Sequence, residues 1–364
     1  MMDKKPFEER ANAHQTLFSL QGFQFQPDDF APATEDEKQS QVIMRESVNF
    51  WKDGMRRLLK NKIAMISLVV IVLVLIFAFI MPSLYPYSYE EQLRGRENLG
   101  IMQPIPEKAL KLAETKGIST FPHLLGTDSL GRDYMVRLMM GSRISLLVGI
   151  VASVIILVLG SLYGAVSGYF GGRVDMIMMR IVDIIYTVPD VLIIILLSVT
   201  LKPPLQNLAN NVPGFGWINT VGVGLISIFI VFALLYWVGM ARMVRSQVLT
   251  LKEQEYVTAA RALGASDGRI IRKHLLTNCI GTLIVVTTLQ IPSSIFTESF
   301  LSFIGLGVAA PLPSLGSMAS AALGGIFTYP YRLLAPAVMI SIIILAFNLF
   351  GDGLRDAFDP KLKN

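Results

Sequence analysis

Long apolar runs, separated by more polar segments of varied length, recur along the chain after residue 60. A helix needs about 20 mostly apolar residues to cross a membrane. The clearest run, 63–81, contains no charged residue, and we predict a first transmembrane helix over it. We therefore expect an all-α integral membrane protein with six transmembrane helices. The five further spans are predicted at about 144–166, 176–200, 220–240, 277–298 and 333–350.

The third predicted span is interrupted by charged residues, which are costly at membrane depth and face a cavity or a partner there. One interpretation is structural ion pairing, in which Arg180 neutralises Asp183 three residues further on. The other is a wet translocation pathway that touches Asp183, Tyr186 or Asp190. Both interpretations remain open. Pro189 interrupts the hydrogen bonding of a helix, and we predict a bend there.

Glu298 is a further ionisable residue near the membrane, at the outer end of the fifth predicted span. We include it as a candidate for the mouth of a translocation path or for contact with a partner chain. The second span instead ends in small residues, with Gly160, Gly164 and Gly168 at every fourth position. Such spacing gives a flat helix face, so we predict close helix–helix packing at this point.

Lysine and arginine residues concentrate on one side of the predicted spans. Because cytoplasmic loops carry the excess of these residues, we predict that both termini lie in the cytoplasm. The chain then divides into an extracytoplasmic loop, 82–143, a five-helix core, 144–350, and a cytoplasmic C-terminus, 351–364. The strongest cluster stands directly before the first span and comprises Lys52, Arg56, Arg57, Lys60 and Lys62.

The part before the first span divides into two segments. Residues 1–45 are polar and acidic, which predicts a cytoplasmic tail that is either flexible or folds on a partner. Residues 46–62 combine aromatic and basic residues in a pattern that predicts an interfacial amphipathic helix. We expect this helix to anchor the chain to membrane lipid.

Three segments outside the spans are rich in proline or glycine. Residues 82–122 include a predicted short helix at about 106–116, and serve either as a contact for an external protein or as a lid. Residues 201–219 are predicted to be an outer loop. Residues 305–330 are too broken to span, so we expect a re-entrant or surface-lying element.

Composition and motifs limit the possible functions. The 364 residues are 52% hydrophobic and 16% charged, which excludes an ordinary soluble domain. The sequence contains no phosphate-binding loop, no His-Glu-x-x-His and no Gly-x-Ser-x-Gly. The single cysteine, Cys279, excludes an intrachain disulfide and a cysteine metal cluster. We predict a non-catalytic chain without a cofactor or metal of its own and without a nucleic-acid partner.

The most distinctive polar segment, 253–274, lies between the fourth and fifth spans. Its small and charged residues predict a short cytoplasmic helix that another protein contacts closely. Gly264 is suited to end that helix because it adopts a positive φ without strain. The residues assigned to this contact are Glu255, Tyr256, Thr258, Ala259, Ala260, Arg261, Gly264, Ala265 and Ser266.

This segment closely resembles the coupling segment of ABC importer permeases. Ala259, Ala260 and Gly264 match the general motif, whereas Thr258 replaces its usual glutamate and Thr277 its usual proline. Segments 123–146, 298–307 and 347–360 are similar to corresponding parts of dipeptide and oligopeptide permeases, and 51–89 resembles the N-terminal segment of their second, C-type permease.

The resemblance implies a type I ABC importer permease fold in a bacterial-type cell membrane. It also implies a complex with a homologous second permease, two ABC ATPases that carry ATP and Mg, and an extracytoplasmic peptide-binding protein. The coupling helix, at about 253–266, would then switch the spans between outward- and inward-facing states. Import of dipeptides or oligopeptides is the leading hypothesis; a permease for nickel or another small solute, a secondary transporter and a membrane-embedded enzyme are the alternatives.

Overall fold

The computed structural model describes residues 50–92, 94–308 and 310–358. Within them, six helices are long and apolar enough to cross a membrane, as the hydropathy pattern predicts. The predicted tail 1–45, residues 46–49 of the predicted amphipathic helix and the last residues, 359–364, lie outside the described part.

In chain order the helices are α1 (Phe50–Lys60), α2 (Lys62–Leu84), α3 (Glu107–Lys116), α4 (Tyr134–Phe170), α5 (Gly172–Thr187), α6 (Asp190–Asn211), α7 (Trp217–Val221), α8 (Val223–Leu251), α9 (Glu255–Ala262), α10 (Asp267–Phe303), α11 (Leu315–Ala322) and α12 (Tyr331–Phe358). The six candidate spans are the even-numbered helices. Three of them, α2, α8 and α10, contain a stretch of π-helix.

Two short helices lie where the sequence pattern places them. Helix α3 falls within the predicted 106–116 and ends at Gly117, whose φ of 66° is the left-handed conformation typical of a helix C-terminus. Helix α1 lies within 46–62, and Asn61 then caps α2 by accepting a hydrogen bond from the Ile63 amide at 3.1 Å.

The third predicted span, 176–200, is where the structure differs most from the prediction. Helix α5 ends at Thr187 and α6 begins at Asp190, so the predicted bend at Pro189 is a complete break. Helix α6 then continues through most of the predicted outer loop to Asn211, although it contains two prolines. Proline is tolerated in such helices because neighbouring groups satisfy the freed backbone. The span is therefore shifted towards the C-terminus.

Helix α4 packs closely against α8 along the glycine face, as predicted. A methyl group built on Gly160 would lie 2.6 Å from Cβ of Met240, and one on Gly168 would lie 2.9 Å from the Arg245 carbonyl oxygen. At Gly164 it would overlap the backbone of Ala241. The backbones thus approach each other as only small residues allow.

An ion pair fixes the same two helices to the start of α5. Arg245, on α8, donates from Nε and Nη2 to the two carboxylate oxygens of Asp175, each at 2.5 Å. Ser167, on α4, donates to the same carboxylate at 2.5 Å. The pKa of the Asp175 carboxyl is held below its ordinary value, mainly by the hydrogen bonds from Arg245 and to a smaller extent by the one from Ser167.

The segment 305–330 contains one helix that is buried rather than lying on the surface. Helix α11 begins with a capping box formed by Ser314 and Ser317. Its Leu315 and Met318 side chains are buried in a cluster with residues of α2, α4 and α12. A glycine, Gly316, brings α11 against the Ser299 backbone of α10. Of the two predicted alternatives, the re-entrant element therefore fits better.

A buried polar network organises the segment before α4. His123 lies 2.7 Å from the Asp133 carboxylate through Nδ1 and 3.3 Å from Arg96 through Nε2. The Tyr87 ring stacks on His123 with centroids 4.4 Å apart. Asp133 also caps α4 by accepting a hydrogen bond from the Val136 amide at 2.9 Å. The network therefore ties the outer segment to the first turn of α4.

We predict that Gly164→Ala destabilises the protein by about 1–3 kcal/mol, because the added methyl group meets the α8 backbone. The control is Gly239→Ala, the same change on α8, where no atom lies within 4 Å of the added group. Thermal unfolding in detergent should show a lower midpoint for the first variant and an unchanged or higher one for the second. Equal midpoints for both would contradict the packing argument.

We predict that the contribution of Asp175 to stability depends on pH. Its pKa is lowered in the folded protein, so this contribution is complete above the ordinary value of 3.8 and is lost as the pH falls through the lowered folded value. The unfolding free energy of wild type should exceed that of Asp175→Asn at neutral pH, and the difference should shrink in strong acid. A difference in unfolding free energy that did not change with pH would refute the pairing. So would a destabilisation by Arg245→Gln that was simply additive with that of Asp175→Asn.

Candidate functional site

Helix α9 forms a short projection between two spans. It follows the end of α8 at Leu251 and precedes α10, which begins at Asp267. Val257 is fully buried and Ala260 is 9% exposed, three residues further on. These two side chains lie on one helix face and anchor α9 to the bundle.

The end of α9 has a fully formed glycine-dependent cap. The Ala265 amide donates to the Ala260 carbonyl and the Gly264 amide to that of Arg261, both at 3.0 Å. This pair of hydrogen bonds defines the Schellman motif, with Gly264 at φ 80°. The turn therefore needs a residue that tolerates a positive φ, which explains the glycine physically.

Most of the residues assigned to the partner contact are exposed. They are Glu255, Tyr256, Thr258, Ala259, Arg261, Gly264 and Ser266, whereas Ala265 is half-buried. Ala260 instead faces the bundle and acts as an anchor. The structure thus brings the predicted residues together on one short helix and its C-terminal turn, but divides them between two faces.

Leu263 is a residue that the sequence reasoning missed. Its side chain is 89% exposed at the tip of the projection. Tyr256, Ala259 and Leu263 follow one another at helical spacing, on a face adjacent to the buried face of Val257 and Ala260, and together form an exposed apolar stripe. The spacing of this stripe was a usable signal, because a leucine within an otherwise polar, exposed segment indicates a contact surface.

The projection is also held to α4. Tyr169, at the end of α4, donates a hydrogen bond to the Asp267 carboxylate at 2.6 Å. The Arg261 guanidinium lies over the Tyr169 ring, 5.7 Å from its centroid. These residues share a polar cavity of about 390 Å³ with Lys252 and Glu253. Helix α9 therefore contacts the end of α4 directly through Arg261.

Three of the predicted path residues surround the break between α5 and α6. Asp183, Tyr186 and Asp190 are all exposed on this chain. Arg242, on α8, donates to Asp183 at 2.8 Å and lies 4.4 Å from the Tyr186 ring centroid. The sequence spacing predicted Arg180 as the partner of Asp183; the structure instead provides Arg242, which lies distant in sequence but close in the fold.

A small cavity opens beside this break. Its volume is about 120 Å³, and its lining includes Tyr186, Asp190, Tyr236 and Gly239. The Tyr236 hydroxyl is 3.1 Å from that of Thr297, on α10. The cavity therefore lies between the broken third span and the π-helical stretch of α8, two places where helix geometry departs from regularity.

Glu298 lies apart from the other three and is fully enclosed. Its carboxylate accepts hydrogen bonds from Ser145, on α4, and from Ser302, each at 2.7 Å. Ser302 in turn accepts from the Val308 amide at 3.0 Å. Glu298 thus joins α4, α10 and the segment before α11, and it does not line the cavity beside the α5–α6 break.

Among the described residues, no three His, Cys, Asp or Glu side chains are grouped as ligands for a metal ion. His274 lies beside the projection, with its ring centroid 6.5 Å from that of Tyr256. Asn278 donates to the Tyr256 hydroxyl at 3.2 Å, so this polar group supports α9 from α10.

Two family models match the chain. Residues 156–364 match the binding-protein-dependent transport system inner membrane component. Residues 49–104 match the N-terminal transmembrane domain of oligopeptide transport permease C.

Named relatives match nearly the whole length. The oligopeptide transport system permease protein OppC of Bacillus subtilis (strain 168) is 42% identical over 92% of this chain and 97% of its own length. The dipeptide transport system permease protein DppC of the same organism is 42% identical over 93% of this chain and 94% of its own length. Among solved structures, a chain from inward facing conformations of the MetNI methionine ABC transporter has a TM-score of 0.44 and 20% identity, covering 61% of this chain and 96% of that chain.

Both the C-terminal core, with its projecting helix, and the N-terminal span fall within these matches. The six apolar helices agree with a multi-pass protein of the plasma membrane. The chain belongs to the family of binding-protein-dependent transport system inner membrane components and has the type I ABC importer permease fold.

Proposed function

We propose that this chain is a permease subunit of an ATP-driven importer of oligopeptides or dipeptides. The observation that carries the proposal is the 42% identity to an oligopeptide and a dipeptide permease over more than nine-tenths of the chain. Both relatives support peptides as the cargo rather than nickel or another small solute. In this role the chain forms one half of a translocation path and performs no catalysis itself.

The partners follow from the family. Permeases of this family act together with ATPases and with a binding protein. For this chain we propose two ABC ATPases that bind ATP and Mg, a homologous second permease and an extracytoplasmic peptide-binding protein. Helix α9 is the proposed ATPase contact because its apolar stripe is exposed while the adjacent face, with Val257 and Ala260, is anchored.

The coupling step is mechanical in this proposal. Docking of an ATPase on Tyr256, Ala259 and Leu263 moves α9 as a rigid body, since the Schellman turn fixes its junction with α10. The contact between Tyr169 and Asp267 transmits the movement to α4. Because α4 and α8 are in backbone contact, they move together.

The proposed path lies along the exposed face around the α5–α6 break. The Asp183–Arg242 pair lies beside it. Asp190 forms no ion pair within the described part of the chain and lines the adjacent cavity. An unpaired carboxylate beside a path provides an electrostatic contact for the ammonium group of a passing peptide. The break at Pro189 gives this region a point at which α5 and α6 change their relative angle.

Copurification tests the proposed function as a whole. The tagged chain, extracted from its native membrane in mild detergent, should bring with it a second permease and ATPases with phosphate-binding loops. Peptide uptake into proteoliposomes by the recovered complex should require ATP. Recovery of the chain alone, under conditions that preserve other membrane complexes, would refute the importer assignment.

We predict that Leu263→Glu uncouples the ATPases without unfolding the permease. The side chain is 89% exposed, so the substitution leaves the bundle intact while placing a charge on the apolar stripe. Peptide uptake should fall about tenfold or more, and less ATPase should copurify. Leu112→Glu, the same change at a leucine of α3 that is 36% exposed and distant from α9, is the control and should retain uptake. Normal ATPase recovery with Leu263→Glu would contradict the coupling assignment.

We predict that Asp190→Asn slows peptide uptake while the complex assembles normally. The substitution preserves size but removes the negative charge from the cavity beside Tyr186. Transport rates are compared for peptides with free and with acetylated amino termini. Only the peptides with a free amino terminus should be transported more slowly by the variant, by about two- to tenfold. Equal slowing of both forms would argue against a contact between Asp190 and the ammonium group.

A further inference from the structure

The two ends of α4 lie in different environments. Phe170, its last residue, lines the cavity beside the coupling projection. Its first residue, Tyr134, is 36 residues away, and a helix of 37 residues extends over about 55 Å. This exceeds the thickness of a membrane core of about 30 Å. The surface around Tyr134 is therefore at the end opposite to the ATPases, outside the cell under the proposed function.

A cavity of about 450 Å³ opens at this outer end. Its charged lining residues are three arginines, Arg132, Arg137 and Arg332, and one carboxylate, Asp128. The lining also includes residues from the end of α11 and from the loop before α12. With three positive charges against one negative charge, the cavity has a net charge that favours an anionic group.

Asp128, the single carboxylate that lines the cavity, already accepts several hydrogen bonds. Asp128 accepts from Nε of Arg132 at 2.7 Å, and Arg132 Nη2 lies 2.7 Å from the same oxygen. The other oxygen accepts hydrogen bonds from the Leu130 and Arg132 amides. Arg137 is 3.6 Å from Asp128. Most of the acceptor capacity of Asp128 is therefore used within its own turn.

Two of the arginines that line the cavity have side-chain nitrogens without a hydrogen-bond partner in the described part of the chain. Arg332 donates from Nη1 to the Asn98 side chain at 2.8 Å and lies 4.0 Å from the Tyr329 ring centroid. Within the described chain, however, Nε and Nη2 of Arg332 and Nη1 of Arg137 have no hydrogen-bond partner. The two residues are only 7% and 8% exposed. A buried donor without a partner is costly, especially on a charged group.

The geometry points to a carboxylate-binding pocket at this outer end, formed by Arg137 and Arg332, and we propose that it receives an acidic side chain of the docked extracytoplasmic binding protein. The planar fork of a guanidinium group matches the two oxygens of a carboxylate. Because these nitrogens have almost no accessible surface, the guanidinium groups would turn towards the cavity when a carboxylate arrives, and the carboxylate would then satisfy donors that the chain leaves unpaired. This proposal rests on the proposed function, which supplies the binding protein.

A neighbouring side chain favours a protein as the source of the carboxylate. Phe327, in the loop before α12, is 100% exposed, and Leu323 in the same loop is 46% exposed. Exposed aromatic groups next to arginines are typical of protein contact surfaces. The pocket lining also shares no residue with the cavity beside the α5–α6 break, where Asp190 lies. The pocket is thus separate from the cavity that the proposed cargo path includes.

The test uses the complete transporter in proteoliposomes with its purified binding protein. ATPase activity is measured against the concentration of the binding protein loaded with a peptide. For Arg332→Gln and for Arg137→Gln, the half-maximal concentration should rise about tenfold or more, while the activity without binding protein is unchanged. Lys108→Gln, which removes an exposed charge on α3 at the same end, is the matched control and should behave as wild type.

Further variants separate recognition from folding. Arg332→Lys keeps the charge but loses the planar fork, so it should also weaken docking while its thermal unfolding stays close to that of wild type. Phe327→Ala, at a fully exposed position, should weaken docking with no effect on folding. Unchanged half-maximal concentrations for Arg332→Lys and Phe327→Ala would overturn the proposal even if Arg332→Gln failed to fold.

The source of the carboxylate is decided by changing the cargo. With a peptide whose C-terminus is amidated, the arginine variants should show the same loss of docking, because the acidic group belongs to the binding protein. A loss that disappears with amidated cargo would assign the pocket to the peptide instead and overturn the proposal. A wild-type transporter that the binding protein does not stimulate would refute the proposed function itself, independently of the pocket.

Discussion

The backbone contact between α4 and α8 is the constraint on which the rest of the structure depends. Apolar side chains give little driving force for association within a lipid, so helices there adhere through close packing and hydrogen bonds. Gly160, Gly164 and Gly168 allow that approach, and the Asp175–Arg245 pair fixes its register. With α4 and α8 joined, the segments that follow each of them, α5 and α9, acquire defined positions.

Under the proposed function, this contact also explains how one short helix would act on a large bundle. Helix α9 contributes only two buried side chains, Val257 and Ala260, and exposes the rest. It is connected to the spans through a capped turn, through Arg261 over the Tyr169 ring and through the hydrogen bond from Asn278 to the Tyr256 hydroxyl. A rigid connection of this kind transmits a push, whereas a flexible loop would absorb it. The break near Pro189 is then a suitable place for the bundle to respond.

Buried polar groups differ in how fully this chain satisfies them. Glu298 is enclosed and accepts hydrogen bonds from two serines, so it serves the packing of α4, α10 and the segment before α11. His123 and Asp133 are likewise paired with each other. The donors of Arg137 and Arg332 are the contrast, because the described chain leaves some of them without a partner. Groups of the first kind hold the fold, whereas the unpaired donors of Arg137 and Arg332, which line one cavity, are those on which the proposed docking pocket rests.

Hydropathy by itself determined the number of spans, and the segment of small and charged residues that contains Gly264 indicated a short helix ending near that glycine, because these signals are local and follow from helix periodicity and turn chemistry. The glycine series of α4 likewise predicted a close contact. Only the tertiary structure decided which partners meet: Arg242 rather than Arg180 beside Asp183, a closed environment for Glu298, and an exposed Leu263. Those outcomes depend on residues distant in sequence, and hydropathy or spacing along a single chain carries no information about such pairs.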